Sequence, residues 1–166
     1  MRTAASLIPG LLILLSVGTA LGATQLAGKR APDFALKSFG GENLRLSEHR
    51  GDVVVLAFWA AWCSDCRDQL SGIADLNERF GDAGLTPLAV SMDRNTSSLR
   101  EDVAAYELGY PMLDDATLEV SRGYDVESLP VALMIDREGV VREVVEGYGR
   151  EIESLYAEFV ERLLAE

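Results

Sequence analysis

The sequence predicts a single α/β domain with a central mixed β-sheet and helices on both faces, on three observations. "VVVLAFW" at 53–59 is an uninterrupted β-branched and aromatic run, the pattern of a strand buried on both faces. Segments with helical spacing alternate with that run and with a second one at 85–92. Two short apolar runs flank "DREG" near the C-terminus, which marks an antiparallel hairpin and makes the sheet mixed.

The elements follow in chain order. After the strand at 53–59, helical spacing begins at Ser64 and places Leu70, Ile73, Leu76 and Phe80 on one face, with Gly81 and Gly84 closing the segment. "LTPLAVSM" at 85–92 is the next strand. Residues 97–108 open with a capping serine and place Leu99, Val103 and Tyr106 on one face of an amphipathic helix. The hairpin comes next, with its turn before Gly139. A last helix, 150–164, is expected to bury Ile152, Leu155, Phe159 and Leu163. The chain has 166 residues and no linker or internal repeat divides it after residue 23, so one core is expected over 27–166.

Residues 1–23 differ in kind: Arg2 is their only charge, and the apolar run after it ends in small residues. This is an export signal, with "ALG" or "LGA" as alternative cleavage sites. Left uncut, residues 3–23 are long enough to tether the protein to a membrane. Arg2 ahead of the run favours sending everything downstream across the membrane, to the periplasm or the outer face. With 15 Lys+Arg against 27 Asp+Glu the formal charge is −12, which excludes nucleic acid as a natural partner.

Cys63 and Cys66 are the only cysteines. A bond between them closes too short a loop to constrain the unfolded chain much, so a structural staple is a poor explanation. Zinc needs about four ligands. Beyond the cysteines the chain offers the lone His49, in another segment, so no metal is expected. A dithiol that cycles between open and closed forms remains. Cys63 falls between a buried strand and a helix N-terminus, where the dipole and unpaired N–H groups favour the thiolate, the species that attacks disulfides.

"APDFAL", "LRLSEHRGDVVVLAFWAAWC", the Trp-Cys-x-x-Cys, "SLP" ahead of a strand ending "MIDREG", and the C-terminal helix together resemble the thioredoxin superfamily. Within it they resemble the exported TlpA/ResA-type thiol-disulfide oxidoreductases, which carry an AhpC/TSA-redoxin-like domain; the resemblance spans residues 27–164. It implies a thioredoxin-like fold with an N-terminal β extension and a helical insertion at 97–108. It implies further that Cys63 is the nucleophile, that Cys66 resolves the mixed disulfide, and that Trp62, Leu129 and a cis Pro130 meet the substrate. The redox-active disulfide would be the only redox group, with no cofactor. Partners would be protein thiols and disulfides on exported proteins, apocytochrome c among them, and a membrane reductant would donate electrons.

Two expected proton acceptors are missing. Ala57 stands where many relatives bury a carboxylate, and Gln69 where TlpA/ResA-type proteins often carry Glu. Asp65 is the preferred substitute, with Asp68 the other candidate, although both also suit the first turn of a helix. A peroxidase of peroxiredoxin type shares "APDF", but "FWAAW" supplies neither the proline nor the hydroxyl of its Pro-x-x-x-Thr/Ser-x-x-Cys pattern. A copper chaperone of related fold would need a wider CxxxC and a distal histidine. His49, in a polar turn, is expected at the surface with no catalytic part.

Overall fold

The computed structural model describes residues 22–96, 99, 103 and 105–166. Its strands are β1 (Ala35–Ser38), β2 (Asn43–Arg45), β3 (Val53–Trp59), β4 (Leu85–Ser91), β5 (Met112–Asp114), β6 (Val131–Ile135) and β7 (Val141–Glu146). They form one sheet in the order β2-β1-β5-β4-β3-β6-β7. β3, β4 and β5 are parallel neighbours, and every other pairing is antiparallel. The helices are α1 (Ser64–Phe80), α2 (Glu119–Gly123) and α3 (Arg150–Leu164), with short 3-10 turns at Gly22–Leu26, Leu46–His49 and Gly81–Ala83.

All seven residues of β3 are buried, and their alternation divides the core into two layers. Val54, Leu56 and Phe58 pack with Phe34, Leu46, Leu88, Tyr124 and Leu133 beneath the N-terminal turns and α2. Val53, Val55 and Ala57 face the other way, against Ile73 and Leu76 of α1 and Tyr156, Val160 and Leu163 of α3. Each fully buried aliphatic side chain contributes about 1.5–3 kcal/mol, so a strand buried on both sides has no tolerant position. The sheet is therefore mixed and covered by helices on both faces, as the sequence predicts.

Several expectations are corrected. β4 stops at Ser91, one residue short of the expected end; the Met92 N–H donates to Trp59 O (2.8 Å), the last rung of the ladder to β3, whose own strand ends at Trp59. Leu99, Val103 and Ala105 are helical, the chain turns at Tyr106, and Glu107 takes a φ of 45°, so the inserted helix does not reach Leu108; its remaining positions lie outside the described residues, as does the run at 3–21. In α3 the buried stripe is Tyr156, Val160 and Leu163, with Leu155 exposed. The core faces the 152/156/160/163 side of the helix, which the branched residues alone misplace. His49 is half-buried beside Asp52, at the opposite end of β3 from the cysteines.

Residues 22–31 pack along the sheet. Ala23 is buried, Gly28 N donates to Val141 O (2.7 Å), and Val141 N donates to Lys29 O (2.9 Å).

Candidate active site

β3 ends at Trp59, and four residues later α1 begins with Cys63 as its N-cap in extended conformation (φ −89°, ψ 108°). The turn is closed by Cys63 N donating to Ala60 O (3.0 Å). Cys66 follows three residues on, on the same side of the first helical turn, and the two sulfurs are joined with Cα atoms 5.4 Å apart. Burial separates them: Cys66 is fully inaccessible, among Trp59, Leu70, Ala89, Leu99 and Met112, while Cys63 is half-buried. Cys63 lies at the positive end of a 17-residue helix whose N-cap uses no side-chain hydrogen bond.

Trp62, next to Cys63, is 73% exposed, whereas Trp59 is buried and packs edge-on against Tyr106. The Leu129–Pro130 peptide bond is cis. Val131 pairs with Phe58, so Pro130 reaches the sheet beside the end of β3, and Leu129 packs against the cluster that holds both cysteines. Pro130 O accepts from Gly147 N (2.7 Å), which ties this loop to the β7–α3 connection. Cys63, Cys66, Trp62, Leu129 and Pro130 thus come together at one end of the sheet.

The proton-acceptor candidates are arranged differently. Asp65 is exposed, accepts from Ser64 Oγ (3.1 Å), and lines an open groove of about 570 Å³ with Asp68, Gly72, Asp75, Tyr148 and Glu153. Burial, then the carboxylates of Glu153, Asp75 and Asp68, pushes the Tyr148 phenol up to about 12. Beneath the motif, Ala57 lies in register with Ala89 and Ala132, so a stripe of methyl groups occupies the place of a carboxylate. Gln69 is fully buried; its Nε2 donates to Tyr156 Oη (2.9 Å), while its Oε1 meets no partner among the described residues.

Sequence reading missed three contributors. Asp93 Oδ2 accepts from Ala61 N (2.9 Å), two residues before Cys63. Tyr148 Oη lies where a β-carbon on Gly72 would stand. Gly147 supplies the bond to Pro130. None carries a local pattern, because each contact joins segments far apart in the chain.

A profile of the AhpC/TSA family matches residues 27–144. The thiol-disulfide oxidoreductase ResA of Geobacillus kaustophilus is 32% identical over 120 residues, covering 72% of this chain and 69% of that protein. A solved structure from Chlorobium tepidum, assigned as the thiol:disulfide interchange protein DsbE, superposes with a TM-score of 0.79 at 28% identity, covering 83% of this chain and 97% of that one. The exposed lipoprotein thioredoxin Etrx1 of Streptococcus pneumoniae superposes with a TM-score of 0.67 at 27% identity, covering 80% and 100%.

Proposed function

This chain belongs to the AhpC/TSA family and is a thiol-disulfide oxidoreductase of the ResA/DsbE type with protein thiols as substrates, and from that premise we propose that it works outside the cytoplasm as a reductant of exported proteins. The observation that carries the mechanism is the unequal burial of the two sulfurs at the head of α1. In the reduced protein the Cys63 thiolate attacks one sulfur of a partner disulfide; a Cys63–partner bond forms and the other partner sulfur leaves as a thiolate. Cys66 then loses its proton and attacks Cys63 Sγ. The second partner thiolate leaves, the Cys63–Cys66 bond closes, and the partner gains two electrons and two protons. Buried Cys66 is shielded from partners and reaches only its neighbour, which makes it the resolving group.

The two sulfurs carry the electrons without a further cofactor, and a membrane dithiol restores them. Trp62 is the exposed group that a substrate chain meets first, with half-buried Leu129 beside the dithiol and Pro130 buried behind it. Apocytochrome c is the partner class that the similarity to ResA favours. The uncharged run at 3–23 and the exposed location named for Etrx1 support export, followed by release or tethering. Among the described residues no helix is long and apolar enough to cross a membrane.

Asp65, two residues after Cys63, opposes the thiolate stabilisation that the N-terminus of α1 and Arg67 supply, and a less stabilised thiolate favours reducing over oxidising work. A Cys66→Ser variant expressed in the native cell should trap exported cysteine proteins as Cys63 mixed disulfides. Capture of cytoplasmic proteins alone, or a glutathione-equilibrated potential near the strongly oxidising value of about −120 mV, overturns the proposal.

A further inference from the structure

We propose that Asp93 is a positioning residue for the nucleophile, holding the turn that presents Trp62 and Cys63 through a single hydrogen bond from the Ala61 N–H. The inference rests on the dithiol reading above but not on the identity or compartment of the partner.

The turn from Ala60 to Cys63 has little of its own to hold it. Its internal bond is Cys63 N to Ala60 O, the N-cap of α1 is made without a side-chain bond, and Ala61 and Trp62 are both exposed. A short exposed turn of this kind interconverts freely unless something outside it takes up its donors. Asp93 does so: its Oδ2 accepts from Ala61 N at 2.9 Å across 32 residues of sequence.

The carboxylate is itself aimed. Ser91, at the buried end of β4, donates from Oγ to the same Oδ2 (3.0 Å), and Ser91 Oγ accepts from Asp93 N (3.2 Å). Ser91 stands in register with Trp59, and Trp59 O accepts from Met92 N (2.8 Å). Residues 91–93 therefore grip both the last residue of β3 and the turn that follows it. The rigid part of the sheet is carried out to Ala61 by three consecutive residues. The dipole of α1 acts only within its first turn, so a Cys63 that drifts from the N-cap loses its thiolate stabilisation together with its presentation to the partner.

The experiment separates the bond from the charge. Asp93→Asn removes the charge and keeps an acceptor oxygen; Asp93→Ala removes both. Asp65, Arg67 and Asp68 are common to all the variants, so their fields cancel in the comparison. Three readouts are taken on the full chain: the pH profile of Cys63 alkylation by iodoacetamide in the reduced protein, the rate of insulin disulfide reduction, and amide hydrogen exchange at Ala61. Asp93→Ala should raise the apparent pKa of Cys63, slow insulin reduction about tenfold or more, and release Ala61 exchange, while Asp93→Asn should stay within about twofold of the parent. If Asp93→Ala does not fold, Ser91→Ala, which removes the hydroxyl that aims the carboxylate, should speed Ala61 exchange and slow insulin reduction. The proposal is overturned if Asp93→Asn fails as fully as Asp93→Ala, if Asp93→Ala leaves the Cys63 profile unmoved, or if Ser91→Ala changes neither readout. Small-molecule alkylation and exchange need no physiological partner, so these results stand whatever becomes of the exported-reductant proposal.

Discussion

Gly72→Ala should change the sign of its effect on stability when Tyr148 is removed. Gly72 is buried in the interior of α1, where glycine costs about 1 kcal/mol relative to alanine in helix propensity. On propensity alone the substitution stabilises. The structure opposes it: a β-carbon at position 72 would collide with Tyr148 Oη and stand 2.9 Å from its Cζ, so the ring must leave its seat. That ring packs edge-on against Tyr156 with centroids 5.7 Å apart, a contact worth about 0.5–1.5 kcal/mol beyond its buried area. Overpacking of this kind costs about 1–3 kcal/mol, so after the helix gain the net loss in the parent is about 1 kcal/mol. In a Tyr148→Ala background the obstruction is gone, and the same substitution should stabilise by about 0.5–1 kcal/mol. The coupling of about 2 kcal/mol is within the range found for residues in contact. Urea unfolding of the four oxidised proteins in the cycle measures it. The same sign in both backgrounds would refute the reasoning. Tyr148 follows Gly147, whose N–H holds Pro130, so the parent-background variant should also reduce insulin more slowly.

Two further outcomes are expected. Burial raises the phenols of Tyr110, Tyr124 and Tyr156 well above the ordinary tyrosine value. The stability they lend is complete below the unfolded value near pH 10 and is lost as pH rises, because the unfolded chain gives up these protons first; at pH 11 each phenol removes about 1.4 kcal/mol, roughly 4 kcal/mol together. Urea midpoints of a Cys63→Ser/Cys66→Ser variant at pH 9 and pH 11 test this, and equal stability at the two would contradict it. Asp65→Asn should slow the resolution of a preformed Cys63 mixed disulfide near neutral pH while Asp68→Asn does not, on stopped-flow measurement; an unchanged rate and pH dependence would leave Asp65 as a helix-start residue only.

What was legible in the sequence was what local pattern controls. β3 reads from its unbroken apolar run because both of its faces are core, and both bounds of α3 follow from helical spacing. The hairpin reads from its turn, where Gly139 takes a φ of 80°. β5 and α2 do not, at three and five residues: Met112–Asp114 is a strand because β4 and β1 flank it, and α2 starts from Leu118 at a φ of 57°. The face of α3 was misread because Tyr156, not Leu155, points inward, where its hydroxyl meets Gln69 from 87 residues away. In the site, the cysteine pair and Pro130 carry motif signals. Asp93 carries none, since "VSMD" becomes meaningful only when β4 lies beside β3.

A seven-stranded open sheet has two rims, and a rim with free backbone groups is a template on which another extended chain can polymerise. One rim here is β2, three residues long with Asn43 and Arg45 exposed at its ends. The other is β7, whose opening residues are already occupied by the pairing of Gly28 and Lys29 with Val141 and of Arg30 with Val140. For a thiol-disulfide oxidoreductase with protein thiols as substrates, the blunting has a practical result. Client chains that join through a sulfur–sulfur bond meet one rim only three residues long and another closed at its start, which limits their recruitment as an eighth strand.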